Sequence, residues 1–95
     1  MKTIKTNEET VKKLFLNKVM SDNWHEKIEI VKIENVQDYD YKCYFDVTTK
    51  ITRGGKVEYD TNEWQLDEDG DFSGYARRFG KYEGNILTNE YSMNF

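Results

Sequence analysis

The chain has 95 residues, of which 37% are hydrophobic, 34% charged and 15% aromatic, and its net charge is −4. This length supports one domain with a thin core, burying roughly 60–65% of the surface the unfolded chain exposes, and leaves little room for a large enclosed pocket. An acidic chain with a pI near 5.0 lacks the positive footprint that non-specific binding to nucleic acid requires.

The first predicted element is a helix from Thr6 to Met20, "TNEETVKKLFLNKVM". Thr6 with Glu9 has the spacing of a capping box, and Glu8 and Glu9 suit the positive helix end. Val11, Leu14, Phe15 and Val19 share one face, widened by Leu16 and Met20, which reads as a core stripe. Trp24 to Val36 follows as a strand whose apolar parity changes midway. Ile28 and Ile30 share one face, and Val31 and Ile33 the other. A bulge near Val31 and Lys32 returns all four to the core, because one extra residue restores the face.

The next segment, "DYDYKCYFDVTTKITRGGKVEYDTNEWQL", carries the strongest pattern. Tyr41, Cys43, Phe45, Val47 and Ile51 alternate with Lys42, Asp46, Thr48 and Lys50, as in a half-buried strand. Gly54-Gly55 supplies the positive φ angles of a two-residue hairpin turn. Closing that turn between Arg53 and Lys56 sets Phe45 opposite Trp64 and Cys43 opposite Leu66 on the core face. The outer face then pairs Tyr44 with Gln65, Lys50 with Tyr59, Thr52 with Val57 and Asp46 with Glu63. In "LDEDGDF" a loop of Glu68, Asp69 and Gly70 places Gly74 opposite Trp64, whereas a loop of Asp69-Gly70 places Tyr75 there; the first is preferred. Beyond Gly80, a turn at Glu83-Gly84-Asn85 is expected, followed by a short strand and a frayed tail.

One helix followed by a mainly antiparallel sheet predicts an α+β domain spanning residues 1–95. The helix packs on a curved sheet of four to five strands. In element order most of the chain resembles cystatin-like and NTF2-like folds. The QxVxG pattern of protease-inhibiting cystatins is absent, "NVQDY" being the nearest stretch, so the resemblance implies a fold and no activity.

Several chemistries can be weighed against particular residues. Asp67, Asp69 and Asp71 have the spacing of the first three EF-hand ligands, but Phe72 and Arg78 stand where that loop needs Gly and Glu. The segment reads as a solvated turn, and no metal or other cofactor is expected. A structural zinc site needs four Cys or His ligands, and the chain offers Cys43 and His25. Cys43 lies on the apolar face of its strand, the usual place for an inert thiol. The acidic residues show no member buried in an apolar run, where a raised pKa would signal acid/base work. "RGGK" is a hairpin, and "GYARRFG" lacks the spacing and following helix of a phosphate loop.

The single cysteine fits a reducing compartment. No leader pattern opens the sequence, and no apolar run reaches the ~20 residues of a membrane span, so a cytoplasmic, non-membrane protein is expected. Heavy use of Lys, Asn, Ile, Glu and Tyr without proline suits an AT-rich genome, its phage or a mobile element.

Two surface features remain. Tyr44, Val57 and Tyr59, with Thr48 and Thr61 between them, make the outer sheet face moderately apolar. The strand "YARRFGKY" adds Tyr75, Arg77, Arg78, Phe79, Lys81 and Tyr82, and Tyr and Arg are enriched at interface hot spots. The expected function is non-catalytic binding of a protein partner, as an inhibitor or adaptor aimed at a nucleic-acid-handling host protein. The candidate contact residues are Tyr44, Val57, Tyr59, Tyr75, Arg77, Arg78 and Tyr82. A homodimer through the same face is the plainer version. The rivals are a single-stranded nucleic-acid binder using residues 75–82 and an NTF2-like ligand carrier or enzyme. Phe15, Phe45 and Trp64 are expected to fill the pocket that the second rival needs.

Overall fold

The computed structural model describes residues 3–22, 25–77 and 80–94, with backbone alone at Ala76, Arg77 and Asn94. Trp24, Arg78 and Phe79 lie outside the described residues. The helix α1 (Glu8–Phe15) is followed by strands β1 (Val19–Asp22), β2 (Glu26–Tyr39), β3 (Lys42–Arg53), β4 (Lys56–Asp67), β5 (Asp71–Arg77), β6 (Gly80–Asn85) and β7 (Glu90–Asn94). The strands form one antiparallel meander in sequence order, a seven-stranded sheet curled into a half-barrel. The α+β class holds, but the sheet has seven strands where four to five were expected. The difference comes from β1, expected as helix, and from the segment 75–82, expected as one strand, which is divided between β5, ending at Arg77, and the antiparallel β6, starting at Gly80.

The helix is shorter than its apolar stripe suggests. Its cap is Asn7, whose side chain accepts the Thr10 N–H at 2.9 Å. Thr6 is instead buried, and its hydroxyl donates to the Asp38 carboxylate at 2.7 Å, tying the helix start to the far end of β2. Val11 and Phe15 are fully buried. The helix then stops, because Asn17 adopts a left-handed φ of 67° and its N–H donates to the Ile30 carbonyl at 2.8 Å. Residues 19–22 pair with β2 rather than continuing the helix. Met20 is thus buried as a strand residue, and Val19 is exposed. An eight-residue helix has little stability of its own, so the exposed strand edge of β2 wins the chain back.

The register of β2 on β3 shifts between Ile30 and Lys32, which is the bulge that the parity change predicts. Ile28, Ile30 and Ile33 are buried, and Val31, the extra residue, is half-buried. A second irregularity between Glu34 and Gln37 contains Asn35 at φ 55°. Asp40 and Tyr41 form the β2–β3 turn, with Asp40 at φ 47°. Tyr41 is therefore 72% exposed, not a core residue.

The β3–β4 hairpin has the predicted register throughout, from Arg53↔Lys56 to Lys42↔Asp67. Gly54 and Gly55 turn it with φ of 54° and 81°, both in the left-handed region that a type I′ turn requires. A strand of 12 residues at roughly 3.3 Å each is about 40 Å long, which accounts for the 41 Å long axis of the molecule.

Between β4 and β5 the preferred loop is the observed one, since Leu66 pairs with Phe72 and Gln65 with Ser73. Trp64 therefore lies opposite Gly74. A Cβ on Gly74 would sit 2.1 Å from the Trp64 Cγ, so only glycine lets the indole lie there. The indole Nε1–H donates to the Tyr75 carbonyl at 2.7 Å. Among the described residues the β4–β5 ladder ends at Gln65↔Ser73.

The last hairpin turns later than expected. Gly84 lies within β6, where a Cβ would meet the Glu90 carbonyl oxygen at 2.2 Å, so the glycine serves close strand approach. The turn falls at residues 86–89, and the Asn85 side chain accepts the N–H groups of Leu87 and Thr88 at 2.9 and 3.1 Å. Residues expected to fray instead pair with β6 as β7.

The core lies inside the curl. Phe15 packs against Phe45, Trp64 and Phe72 with ring centroids 5.6, 6.0 and 5.2 Å apart. Trp64 stacks on Phe72 at 5.9 Å. Lys18 closes the curl by donating to the Asn89 side chain at 2.6 Å, with its ammonium 5.7 Å from the centre of the Tyr91 ring. No helix among the described residues is long and apolar enough to cross a membrane.

Candidate functional site

The outer face of the β3–β4 hairpin carries the residues that the sequence singles out. Alternation puts Tyr44, Thr48, Lys50 and Thr52 of β3 on this face, opposite Gln65, Thr61, Tyr59 and Val57 of β4. Val57 is 48% and Tyr59 64% exposed, and the Thr48 and Thr61 hydroxyls hydrogen-bond across the strands at 2.9 Å. Tyr44 is half-buried, its ring edge-on to Tyr39 at 5.7 Å and 5.5 Å from the Lys42 ammonium. Tyr75 is exposed and shares with Tyr44, Glu63 and Lys81 the walls of a shallow groove of about 180 Å³. An adjoining groove of about 370 Å³ is lined by Lys42, Asp67, Asp71 and Glu83 among others.

The structure thus brings Tyr44, Val57, Tyr59 and Tyr75 to the surface but leaves Tyr82 out. Tyr82 is 2% exposed and packs against Trp64 and Tyr91, with centroids 6.4 and 5.9 Å away. Its position opposite Gly74 on β5 puts it on the core side, so it is a packing residue and not a contact residue. The Arg77 backbone pairs with Gly80 after a register shift beyond Tyr75. Its side chain, and all of Arg78, lie outside the described residues.

The acidic turn is held together from within. One Asp67 carboxylate oxygen accepts the N–H groups of Asp69 and Asp71 at 2.9 and 3.0 Å. Asn85 donates to the Asp69 carbonyl and the Asp71 carboxylate at 3.0 and 2.9 Å. Carboxylate oxygens of Asp67, Asp69 and Asp71 lie within 4.8 Å of one another, and the backbone N–H groups account for their convergence. Gly70, at φ 91°, completes the reversal.

Cys43 is fully buried. Burial, then the nearby Asp38 charge, pushes its thiol from 9.0 up to about 11, which is the reverse of an activated nucleophile. His25 precedes Glu26, and Glu26 pairs with Arg53. From Cys43 to Arg53 is 53 − 43 = 10 residues along β3, roughly 33 Å at 3.3 Å per residue. The two side chains therefore form no dyad. Arg53 donates through Nε to the Glu26 carboxylate at 2.9 Å and again through its terminal nitrogen.

Asp46 and Glu63 face each other on the outer face as expected. Asn35 relieves part of that repulsion by donating to Asp46 at 2.8 Å. Family models, characterised proteins and solved structures yield no match to this chain.

Proposed function

We propose that this chain is a non-catalytic binding protein whose outer β3–β4 face engages a protein partner, in the manner of an inhibitor or adaptor. The observation that carries this reading is the pair Val57 and Tyr59. Both are large, both are exposed, and they are two residues apart on a sheet face that α1 does not cover. Tyrosine presented from a rigid strand buries area at low entropic cost and can still hydrogen-bond. The acidic residues around it, Asp46 and Glu63 among them, favour a partner with a basic surface. The carrier or enzyme reading needs a pocket between helix and sheet, and Phe15, Phe45 and Trp64 occupy that space with 0–1% exposure. The nucleic-acid reading rests on residues 75–82, of which Arg77, Arg78 and Phe79 contribute no described side chain and Tyr82 is buried.

The test compares wild type with Tyr44→Ala/Tyr59→Ala as tagged bait in nuclease-treated lysate. The expected outcome is one protein held by wild type and lost by the variant, with the same loss when that protein is purified and titrated directly. Capture that disappears with nuclease treatment, or that is equal for both baits, would refute the reading.

A further inference from the structure

The β3–β4 hairpin leaves an open backbone edge with its own charge pattern. In a type I′ hairpin the residues flanking the turn, here Arg53 and Lys56, are a hydrogen-bonded pair. Alternation from that pair aims the N–H and C=O groups of Val57, Tyr59, Thr61 and Glu63 away from β3. At Gln65 this outward side is covered by Ser73 of β5, but among the described residues no strand pairs with β4 before it. In a continued ladder the Tyr75 carbonyl would face Glu63, and the Trp64 indole takes it instead; β5 ends at Arg77, which the same register would set opposite Thr61, so Tyr59 and Val57 lie beyond its reach.

Such an edge is a template for a further strand, and its side chains restrict which strand fits. Val57 and Tyr59 point to the outer face. Glu58 and Asp60 point to the inner one, opposite Ile51 and Thr49. Asn62 donates to Asp60 at 3.0 Å, and Arg53, held by Glu26, also interacts with the Glu58 charge. A second copy of the chain fits poorly in the registers that pair the edge along most of its length. Antiparallel self-pairing centred on Glu58 sets Glu58 against Glu58, and centring on Asp60 sets Asp60 against Asp60. Centring on Tyr59 opposes Glu58 and Asp60 twice. Like charges directly opposite are destabilising, so the edge resists its own copy in each of these registers.

We infer that the β4 edge from Val57 to Glu63 accepts an extended basic segment of a partner as an eighth strand. That segment has Lys or Arg at alternating positions facing Glu58 and Asp60, and apolar or aromatic residues between them continuing the Val57–Tyr59 strip. The inference rests on the binding-protein reading above and states how the partner is gripped, with main-chain bonds for affinity and alternate side chains for selection.

The experiment titrates the ¹⁵N-labelled protein with a synthetic peptide alternating Lys with Val and Thr. Controls are the same peptide with Glu for Lys, and one N-methylated on its pairing edge. Amide exchange is read at Val57, Tyr59, Thr61 and Glu63. The Lys peptide is expected to slow these four amides at least tenfold, and N-methylation to abolish the slowing. The Glu peptide should bind more than tenfold more weakly, and Glu58→Lys/Asp60→Lys, with an unchanged melting curve, should reverse that preference.

Peptide binding that leaves the four amides fast overturns the inference in favour of a diffuse charge effect. Protection that grows with protein concentration alone, alongside a dimer in sedimentation, overturns it in favour of a second copy. Loss of strand addition while the Tyr44→Ala/Tyr59→Ala bait still loses its partner leaves the binding reading intact. Loss of both results removes both.

Discussion

Gly74 and Trp64 show how closely single positions are specified. Gly74→Ala would drive a methyl group to within 2.1 Å of the Trp64 Cγ, the inflexible root of a fully buried side chain. The expected cost is about 3 kcal/mol or more, at the upper end for overpacking, read as a lower urea midpoint with an unchanged slope. Gly54→Ala is the control. It meets no atom within 4 Å and suffers only its φ of 54°, so about 1–2 kcal/mol is expected. Cys43 offers a test of a different kind. Its folded pKa, about 11, lies above its ordinary 9.0, so the folded state holds the proton more tightly than the unfolded state. The resulting stability is complete below pH 9, declines between pH 9 and 11, and is gone above that. Urea midpoints across this range should fall more steeply for wild type than for Cys43→Ala. The Tyr91 hydroxyl, also raised by burial, is common to both proteins and cancels in the comparison.

The elements themselves differ in what holds them. The β3–β4 hairpin is specified by alternation and a Gly-Gly turn, and its whole register could be read from residue order. The bulge in β2 was equally legible, because Ile30 and Ile33 can share a core only if one residue between them is extra. The end of α1 was not. Leu16, Val19 and Met20 continue a helical stripe, and what stops the helix is a hydrogen bond from Asn17 to Ile30, 13 residues later by 30 − 17. Asn17→Val should destabilise the fold by about 1–2 kcal/mol, since a β-branched residue resists the left-handed conformation. Asn17→Gly should be tolerated with little change. Thermal or urea unfolding of the two variants distinguishes this backbone requirement from loss of a side-chain contact, which would affect both alike.

For the whole molecule, Phe15 is the aromatic side chain through which the helix packs into the sheet. Phe15→Ala removes the ring that touches Phe45, Trp64 and Phe72 and should cost about 3–5 kcal/mol. That is much of the roughly 5–15 kcal/mol available to a domain of this kind. Near-ultraviolet circular dichroism should report the loss of fixed packing around Trp64. The sequence by itself determined what depends on neighbours along the chain or across one tight turn. These are the α+β class, the hairpin register, the β2 bulge, the Gly74–Trp64 pairing and the outward placement of Tyr44, Val57 and Tyr59. Tertiary structure decided what depends on competition between distant groups. Residues 19–22 leave the helix because β2 offers them a hydrogen-bonding edge. Tyr82 goes to the core because its β6 position falls opposite Gly74, behind the indole. Among the described residues the β4 edge stays unpaired before Gln65, because that indole, itself placed by core packing, takes the Tyr75 carbonyl and β5 ends soon after, at Arg77.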